Sequence, residues 1–197
     1  MQIIDLAEQT RILGQIPGGL QGLRTEIEGV RTGDIARPVR EIVPIAVRTH
    51  SLAIRCLQQF ETLSTSQYAV MKNGHENLAH LAEAALRVSL ASSLCTYGIT
   101  GRTDALLYED GDRTPETSRQ YLTEAMDELD QAAGTYRVVA QNLSRRLASA
   151  AARAEDQSRI ARSLAGPGAN DVRAHPAHAH APAPASTATT SSRPARR

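Results

Sequence analysis

The sequence predicts an all-α fold, an antiparallel helical bundle of four to five helices with a long C-terminal helix and a disordered tail. Apolar residues recur in alternating steps of three and four over most of residues 1–165, which is the spacing of one face of a helix. Aromatic residues make up only 3% of the 197 residues, with no Trp. The core must therefore use Leu, Ile, Val and Ala, which suit closely packed helices better than a β-sandwich. We expect a helical bundle domain over 1–165 and an Ala/Pro/His/Ser/Thr/Arg tail over 166–197.

The first segment carries an apolar repeat that three helix breakers interrupt. Pro17, Gly18 and Gly19 lie in the middle of the repeat, whose members are Leu6, Leu13, Ile16, Leu20, Leu23, Ile27 and Val30. Either one kinked helix keeps the phase of the repeat, or a turn at 17–19 separates a short helix from a second one over 20–31. We favour the turn, because an internal proline costs ~3 kcal/mol and each glycine ~1 kcal/mol.

A second helix is predicted from Pro38 to about residue 71. One apolar stripe along it consists of Ile42, Ile45, Leu52, Cys56 and Leu63, and an adjacent stripe of Val43, Ala46, His50, Ala53, Leu57 and Phe60. Two adjacent stripes form a wide apolar face, which is typical of a bundle helix rather than of a two-stranded coiled coil. Asn73-Gly74 follows as a turn or only as a weak point in the helix.

Residues 76–97 predict a third helix, and residues 99–113 a connecting loop, in which Ala105-Leu106-Leu107-Tyr108 could add a short helical turn. The helix is apolar over more than half of its circumference, so we expect it to be the most buried one; its apolar residues are Leu78, Leu81, Ala82, Ala85, Leu86, Leu90 and Leu94. Gly98 and Gly101 are placed to end it.

Thr114-Pro115-Glu116 has the residue types of a helix start, and Gly166-Pro167-Gly168 those of a stop. A continuous helix up to Leu164 would be ~75 Å long at 1.5 Å per residue. The other helices could leave part of its apolar stripe uncovered, so we predict that the stripe binds a partner. Its members are Leu122, Leu129, Tyr136, Val139, Leu143 and Leu147.

Charge along this last helix is polarised. Acidic residues dominate 104–130 and arginines dominate 135–165. This order complements the helix dipole. Pairing of one copy's acidic half with another copy's basic half is the alternative explanation.

Composition bounds the compartment and the partners. The formal net charge of +1 selects neither nucleic acid nor an acidic substrate, and no stretch approaches the ~20 apolar residues of a membrane span. The N-terminus lacks the pattern of a signal peptide, so we expect a cytoplasmic protein. Cys56 and Cys95 lie in apolar segments and predict two buried thiols, although a disulfide between them stays open.

Two groups of residues could bind metal. His175, His178 and His180 lie in the tail, where nothing rigid would hold them. The second group, on one predicted helix, is His75, Glu76, His80 and Glu83; it lacks the Glu-x-x-His motif of di-iron bundles, and a solvated helix face explains it as well. His50 lies on an apolar stripe without an acid to orient it. We therefore predict no catalytic residue, no cofactor and no metal.

The glycine patch formed by Gly14, Gly18, Gly19 and Gly22 lacks the Lys-Ser/Thr of a phosphate-binding loop. It indicates a turn or a close helix crossing.

The sequence favours a non-catalytic helical protein that self-associates or docks another helical protein through its apolar stripes. A small helical chain without a cleaved signal also resembles the helical hairpins of type VII secretion, and Tyr108 and Asp112 match that family's Tyr-x-x-x-Asp/Glu export signal. That match lies between helices rather than after a hairpin, and the family's Trp-x-Gly turn is absent. An enzyme with a metal site in the bundle core is the third alternative.

Overall fold

The computed structural model of the protein describes residues 1–31, 38–107 and 116–165. Five α-helices occupy most of these ranges: α1 Leu6–Arg31, α2 Pro38–Ser64, α3 Gly74–Leu107, α4 Glu116–Ala148 and α5 Ala150–Ala165. A 3-10 turn over Gln67–Val70 lies between α2 and α3. The all-α prediction is confirmed, because the helices of the described ranges pack on one another and these ranges contain no strand.

Helices α1 to α4 run alternately up and down and share one core. Their direction follows from contacts that join early residues of one helix to late residues of the next. Between α1 and α2 these are Gln9–Gln59 and Glu26–Arg48, and between α3 and α4 they are Arg87–Glu128 and Gly98–Ser118. Arg24–Asp130 joins α1 to α4. Packing is close between α2 and α3, between α3 and α4 and between α1 and α4, whereas α1 and α2 meet more loosely. Met1–Leu164 form one compact unit.

Helix α1 is continuous, so the favoured turn at 17–19 is wrong. Leu13, Leu20 and Ile27 of the repeat are fully buried, and Pro17 is buried among them. The first and last members, Leu6 and Val30, are partly buried against the core. Burial of a stripe that stays in phase offsets the cost of the proline and the glycines. Gly19 lies against α2, where a side chain would begin 3.7 Å from Leu52.

The link between α2 and α3 starts earlier than the sequence predicts, because α2 ends at Ser64 rather than near residue 71. Asn73 adopts the left-handed backbone with a φ of 61°, and a Cβ at position 74 would lie 2.2 Å from the carbonyl oxygen of Tyr68. Asn73-Gly74 is therefore a true turn that requires glycine at its second position.

The N-terminal residues are hydrogen-bonded to the link between α2 and α3. The side chain of Gln67 accepts a hydrogen bond from the backbone N–H of Ile4 at 2.8 Å and donates one to the Ile4 carbonyl at 2.6 Å. Asp5 then caps α1 by accepting the N–H of Ala7. Residues 1–31 thus pack on their own chain.

Helix α3 extends to Leu107, so the predicted loop is wrong over 99–104, and 105–107 are helical, as the alternative allowed. Gly98 and Gly101 do not end the helix. Gly98 lets α4 approach closely, since a Cβ there would lie 3.2 Å from Leu122, whereas one at Gly101 would make an ordinary contact, 3.6 Å from Ser118. The buried guanidinium of Arg102 donates to the Val30 carbonyl near the end of α1, which gives this part of α3 a packing role.

The predicted helix over 115–164 is divided at Ser149. The Oγ of Ser149 accepts the N–H of Ala152 and starts α5. Beyond this break the chain folds back, because Arg146 donates to Asp156 at 2.7 Å across a spacing that would be about 15 Å in a straight helix. Asp156 is buried and also accepts the backbone N–H of Lys72.

The remaining predictions about elements concern 108–113, the start at Thr114-Pro115 and the tail at 166–197. These segments lie outside the described residues.

Candidate functional site

The stripe that the sequence predicts as a docking site on α4 lies inside the bundle. Five of its six side chains, Leu122, Leu129, Tyr136, Val139 and Leu143, are buried, and Leu147 is partly buried against the core. Helices α1 and α3 cover α4. These side chains hold the chain's own helices together and do not present a free surface.

Charges of α4 are likewise used within the chain. Asp130 pairs with Arg24 of α1 at 2.7 Å, and Glu128 pairs with Arg87 of α3 at 2.9 Å. Arg146 pairs with Asp156 after the turn at Ser149. These three charged residues of α4 therefore pair within their own chain.

Both cysteines are free, fully buried thiols. Burial raises the pKa of Cys95 to about 11, although a hydrogen bond with Thr49 opposes this shift. Burial also raises the pKa of Cys56, against a smaller opposing effect of Tyr136. Because the thiolate is the reactive form, both thiols are unreactive in the folded protein.

The histidine and glutamate group at the start of α3 does not form a cage. His75, Glu76, His80 and Glu83 are all exposed. Glu83 pairs with Arg87 one turn further on. Within residues 1–31, 38–107 and 116–165, no three His, Cys, Asp or Glu side chains are placed together to hold a metal ion. His175, His178 and His180, and the Tyr108–Asp112 match, lie outside the described residues.

A half-open groove of about 370 Å³ runs between α1 and α2, where these helices meet loosely. Ile12, Ile16, Leu23 and Leu52 give it an apolar floor, and polar and charged side chains form its rim. Arg48 and Glu26 pair across the groove. This pairing links the two helices where their backbones stand apart.

The largest feature that sequence analysis did not identify is an apolar surface outside the bundle. Besides Leu107 at the C-terminal end of α3, seven large apolar side chains on α2 and α3 are exposed, by 37% at Val43 to 67% at Leu86. We call this set the α2–α3 face, and its members are Val43, Val47, Ile54, Leu57, Leu86, Leu90 and Tyr97.

These side chains lie on one side of the helix pair. On α2, Arg48 and Leu52 border α1, so the flank with Val47 and Ile54 is turned away from α1. On α3, Arg87 and Gly98 contact α4, and Leu86, Leu90 and Tyr97 are exposed on the side of the helix that is turned away from the core. The ring of Tyr97 lies 5.4 Å from that of Tyr121 of α4 and ends the face on that side.

The sequence held a signal for this face. Helix α2 carries a second apolar stripe, which includes Val43 and Leu57, and α3 is apolar over more than half of its circumference, which includes Leu86 and Leu90. The core cannot cover all of these side chains. The expectation that α3 is the most buried helix overlooked that excess. His50, on the same stripe of α2, is exposed at the middle of the face.

Among the described helices, none combines the length and the sustained apolar character that crossing a bilayer requires. Comparison of the chain with protein-family models, with curated proteins and with solved structures finds no match.

Proposed function

We propose that this protein is a non-catalytic interaction protein that binds another helical surface through the α2–α3 face. The single observation that carries the proposal is the exposure of seven large apolar side chains on two neighbouring helices. Single exposed apolar residues are ordinary, whereas a contiguous set on one side of a helix pair is typical of a binding surface.

The geometry of the face fits a helical partner. Val43, Val47, Ile54 and Leu57 follow the three- and four-residue spacing with which one helix packs against another. Leu86, Leu90 and Tyr97 form a second row on α3. Two such rows form a surface onto which a helix or a helix pair can pack.

Thiol labelling tests the proposal whatever the identity of the partner. Ile54→Cys places a reactive thiol in the α2–α3 face, and Val138→Cys is the matched control because Val138 is 55% exposed on α4, away from the face. Cys56 and Cys95 are buried, so they do not react with the maleimide in the folded protein. The two variants are labelled with a membrane-permeable maleimide in intact expressing cells and, separately, as dilute purified protein.

We expect the labelling rate at position 54 relative to position 138 to fall at least about tenfold in cells, because a bound partner excludes the reagent. Equal relative rates in the two settings would show that nothing covers the face, and the proposal would be wrong.

A further inference from the structure

We infer that the partner on the α2–α3 face is a second copy of this chain, bound antiparallel around a two-fold axis that crosses both helices. This inference rests on the proposed function and names its partner. It follows from the order of residues along the face, from the heights of its two rows and from its dimensions.

The stripe along α2 is complementary to its own reverse. In alternating steps of three and four, its residues are Arg40, Val43, Val47, His50, Ile54, Leu57 and Glu61, all of them exposed. When the stripe is laid antiparallel on itself, Val43 meets Leu57 and Val47 meets Ile54. His50 meets its own copy on the axis.

Opposite charges stand at the two ends of this stripe. Arg40 of each copy would meet Glu61 of the other, so the antiparallel arrangement forms two equivalent ion pairs. A parallel arrangement would place Arg40 on Arg40 and Glu61 on Glu61. The nearest guanidinium groups on α2 outside the stripe are those of Arg48, which pairs with Glu26 of α1, and Arg55, which lines the groove to α1. Charge complementarity of this kind sets orientation and register.

The row on α3 shares the same axis. Leu90 and Tyr97 are two helical turns apart, as Val47 and Ile54 are on α2. The midpoint of the first pair lies between Ser93 and Leu94, and that of the second between His50 and Ser51. Arg48 of α2 pairs with Glu26 of α1, and Arg102 of α3 donates to the Val30 carbonyl of the same helix. Counted from these contacts at 1.5 Å per residue, the two midpoints lie within about one helical turn of the same height on the antiparallel helices. One axis therefore places Leu90 on Tyr97 of the second copy as well.

The dimensions of the face suit a dimer. From Arg40 to Glu61 the face is about 31 Å long, and two helices side by side are about 20 Å wide. Each copy would thus contribute about 600 Å², so that both together exceed the roughly 1,000 Å² that a specific interface needs. The two-fold symmetry also closes the assembly at two copies.

Charge reversal tests the register in the full-length protein. We expect Arg40→Glu and Glu61→Arg each to weaken the dimer at least about tenfold, because each change places like charges together twice. Light scattering and analytical ultracentrifugation measure the dissociation constants. The double variant R40E/E61R restores opposite charges across the axis, and its dissociation constant should return to within about threefold of that of the parent protein.

Mixing the two single variants gives a further readout. One variant carries Glu at both ends of its stripe and the other carries Arg at both, so we expect them to form mixed dimers in preference to either homodimer. Native mass spectrometry counts the three species. Both exchanged side chains are exposed, so circular dichroism should show all variants folded.

Crosslinking tests the axis itself. A short bis-maleimide should join two chains of His50→Cys, because residue 50 lies beside its own copy, and should leave Val138→Cys monomeric.

A strict monomer at 100-fold the labelling concentration would overturn the inference. If the face is nevertheless covered in cells, the partner is a different protein and the proposed function survives. A dimer that is indifferent to charge reversal and to crosslinking at position 50 would also overturn the inference.

Discussion

Gly98 allows the close approach of α3 and α4. Any side chain at Gly98 would begin 3.2 Å from Leu122, and Ser118 donates a 2.8 Å hydrogen bond to the Gly98 carbonyl. Glycine is unfavourable in a helix interior. At this position the loss is offset because the backbones of two helices come close enough for a side chain of one to bind the main chain of the other.

We predict that Gly98→Leu lowers the free energy of unfolding by about 1–3 kcal/mol, because the added side chain forces α4 away from α3 and breaks the bond from Ser118. Urea unfolding followed by circular dichroism measures the change. Gly18→Ala is the matched control, since a Cβ at this exposed position of α1 has nothing within 4 Å. It should raise the free energy of unfolding by about 0.5–1 kcal/mol. Equal effects of the two substitutions would contradict the close approach at Gly98.

At the scale of elements, the fold class was predictable, whereas helix ends were not. Apolar spacing located every helix of the bundle, but Gly98 and Gly101 have the residue type of a helix end and lie inside one. Their environment on α4 decides the outcome, and no local pattern contains it. Ser149 is the reverse case, because the sequence around it continues the helical repeat while its side chain starts a new helix.

The segment after Ser149 is held by a few polar contacts. Asp156 accepts from the guanidinium of Arg146 at 2.7 Å and 3.1 Å and from the N–H of Lys72 at 3.0 Å. Glu155 adds ion pairs to Lys72, Arg146 and Arg159. Apart from Asp156, the side chains of α5 are at least partly exposed, so these contacts decide whether α5 stays docked.

We predict that Asp156→Ala releases α5 while the bundle stays folded. The change leaves the half-buried Arg146 and the Lys72 N–H without their acceptor, which costs about 1–3 kcal/mol. Hydrogen exchange should accelerate about 5- to 100-fold at the amides of α5 and stay unchanged in the core of α3. Arg162→Ala, which changes an exposed residue of the same helix, serves as the control. Unchanged protection of α5 in the Asp156 variant would contradict its role.

Acid should act on the same contacts. Partial burial of Glu155 raises its pKa, but the hydrogen bond from Arg146 and the charges of Lys72 and Arg159 outweigh this and hold it below the ordinary value. A pKa that is lower in the folded state stabilises the docked helix above the ordinary carboxyl range, and this stabilisation is lost as the pH falls through the lowered value. Protection of α5 should therefore fall in acid before that of α3.

At the scale of the molecule, the core belongs to four helices. Within the described ranges, the buried apolar residues lie in α1 to α4 and the link between α2 and α3, and α5 adds only the partly buried Ile160 against them. The predicted docking stripe on α4 shows the limit of sequence reasoning about the site. Periodicity finds apolar stripes, but which of them remain exposed depends on how four helices divide one interior. The apolar side chains that remain exposed lie on α2 and α3, because the apolar faces of these helices are wider than their neighbouring helices can cover.

We predict that a chain ending after Ser149 still unfolds in one cooperative transition. Its free energy of unfolding should be about 1–3 kcal/mol lower than that of the full chain, because Lys72 and Arg146 lose their acceptors. Thermal and urea unfolding by circular dichroism measure both quantities. A broad, non-cooperative transition would mean that α5 is part of the core rather than attached to it.

The loose junction between α1 and α2 has a consequence for how the chain folds during synthesis. Helix α1 leaves the ribosome before the other three helices of the bundle, yet it packs most closely on α4, which emerges after α2 and α3. The nascent chain must therefore carry the uncovered apolar side of its first helix for more than a hundred residues of translation. The α2–α3 hairpin can form in that interval, and α4 then packs on both α1 and α3 and completes the bundle.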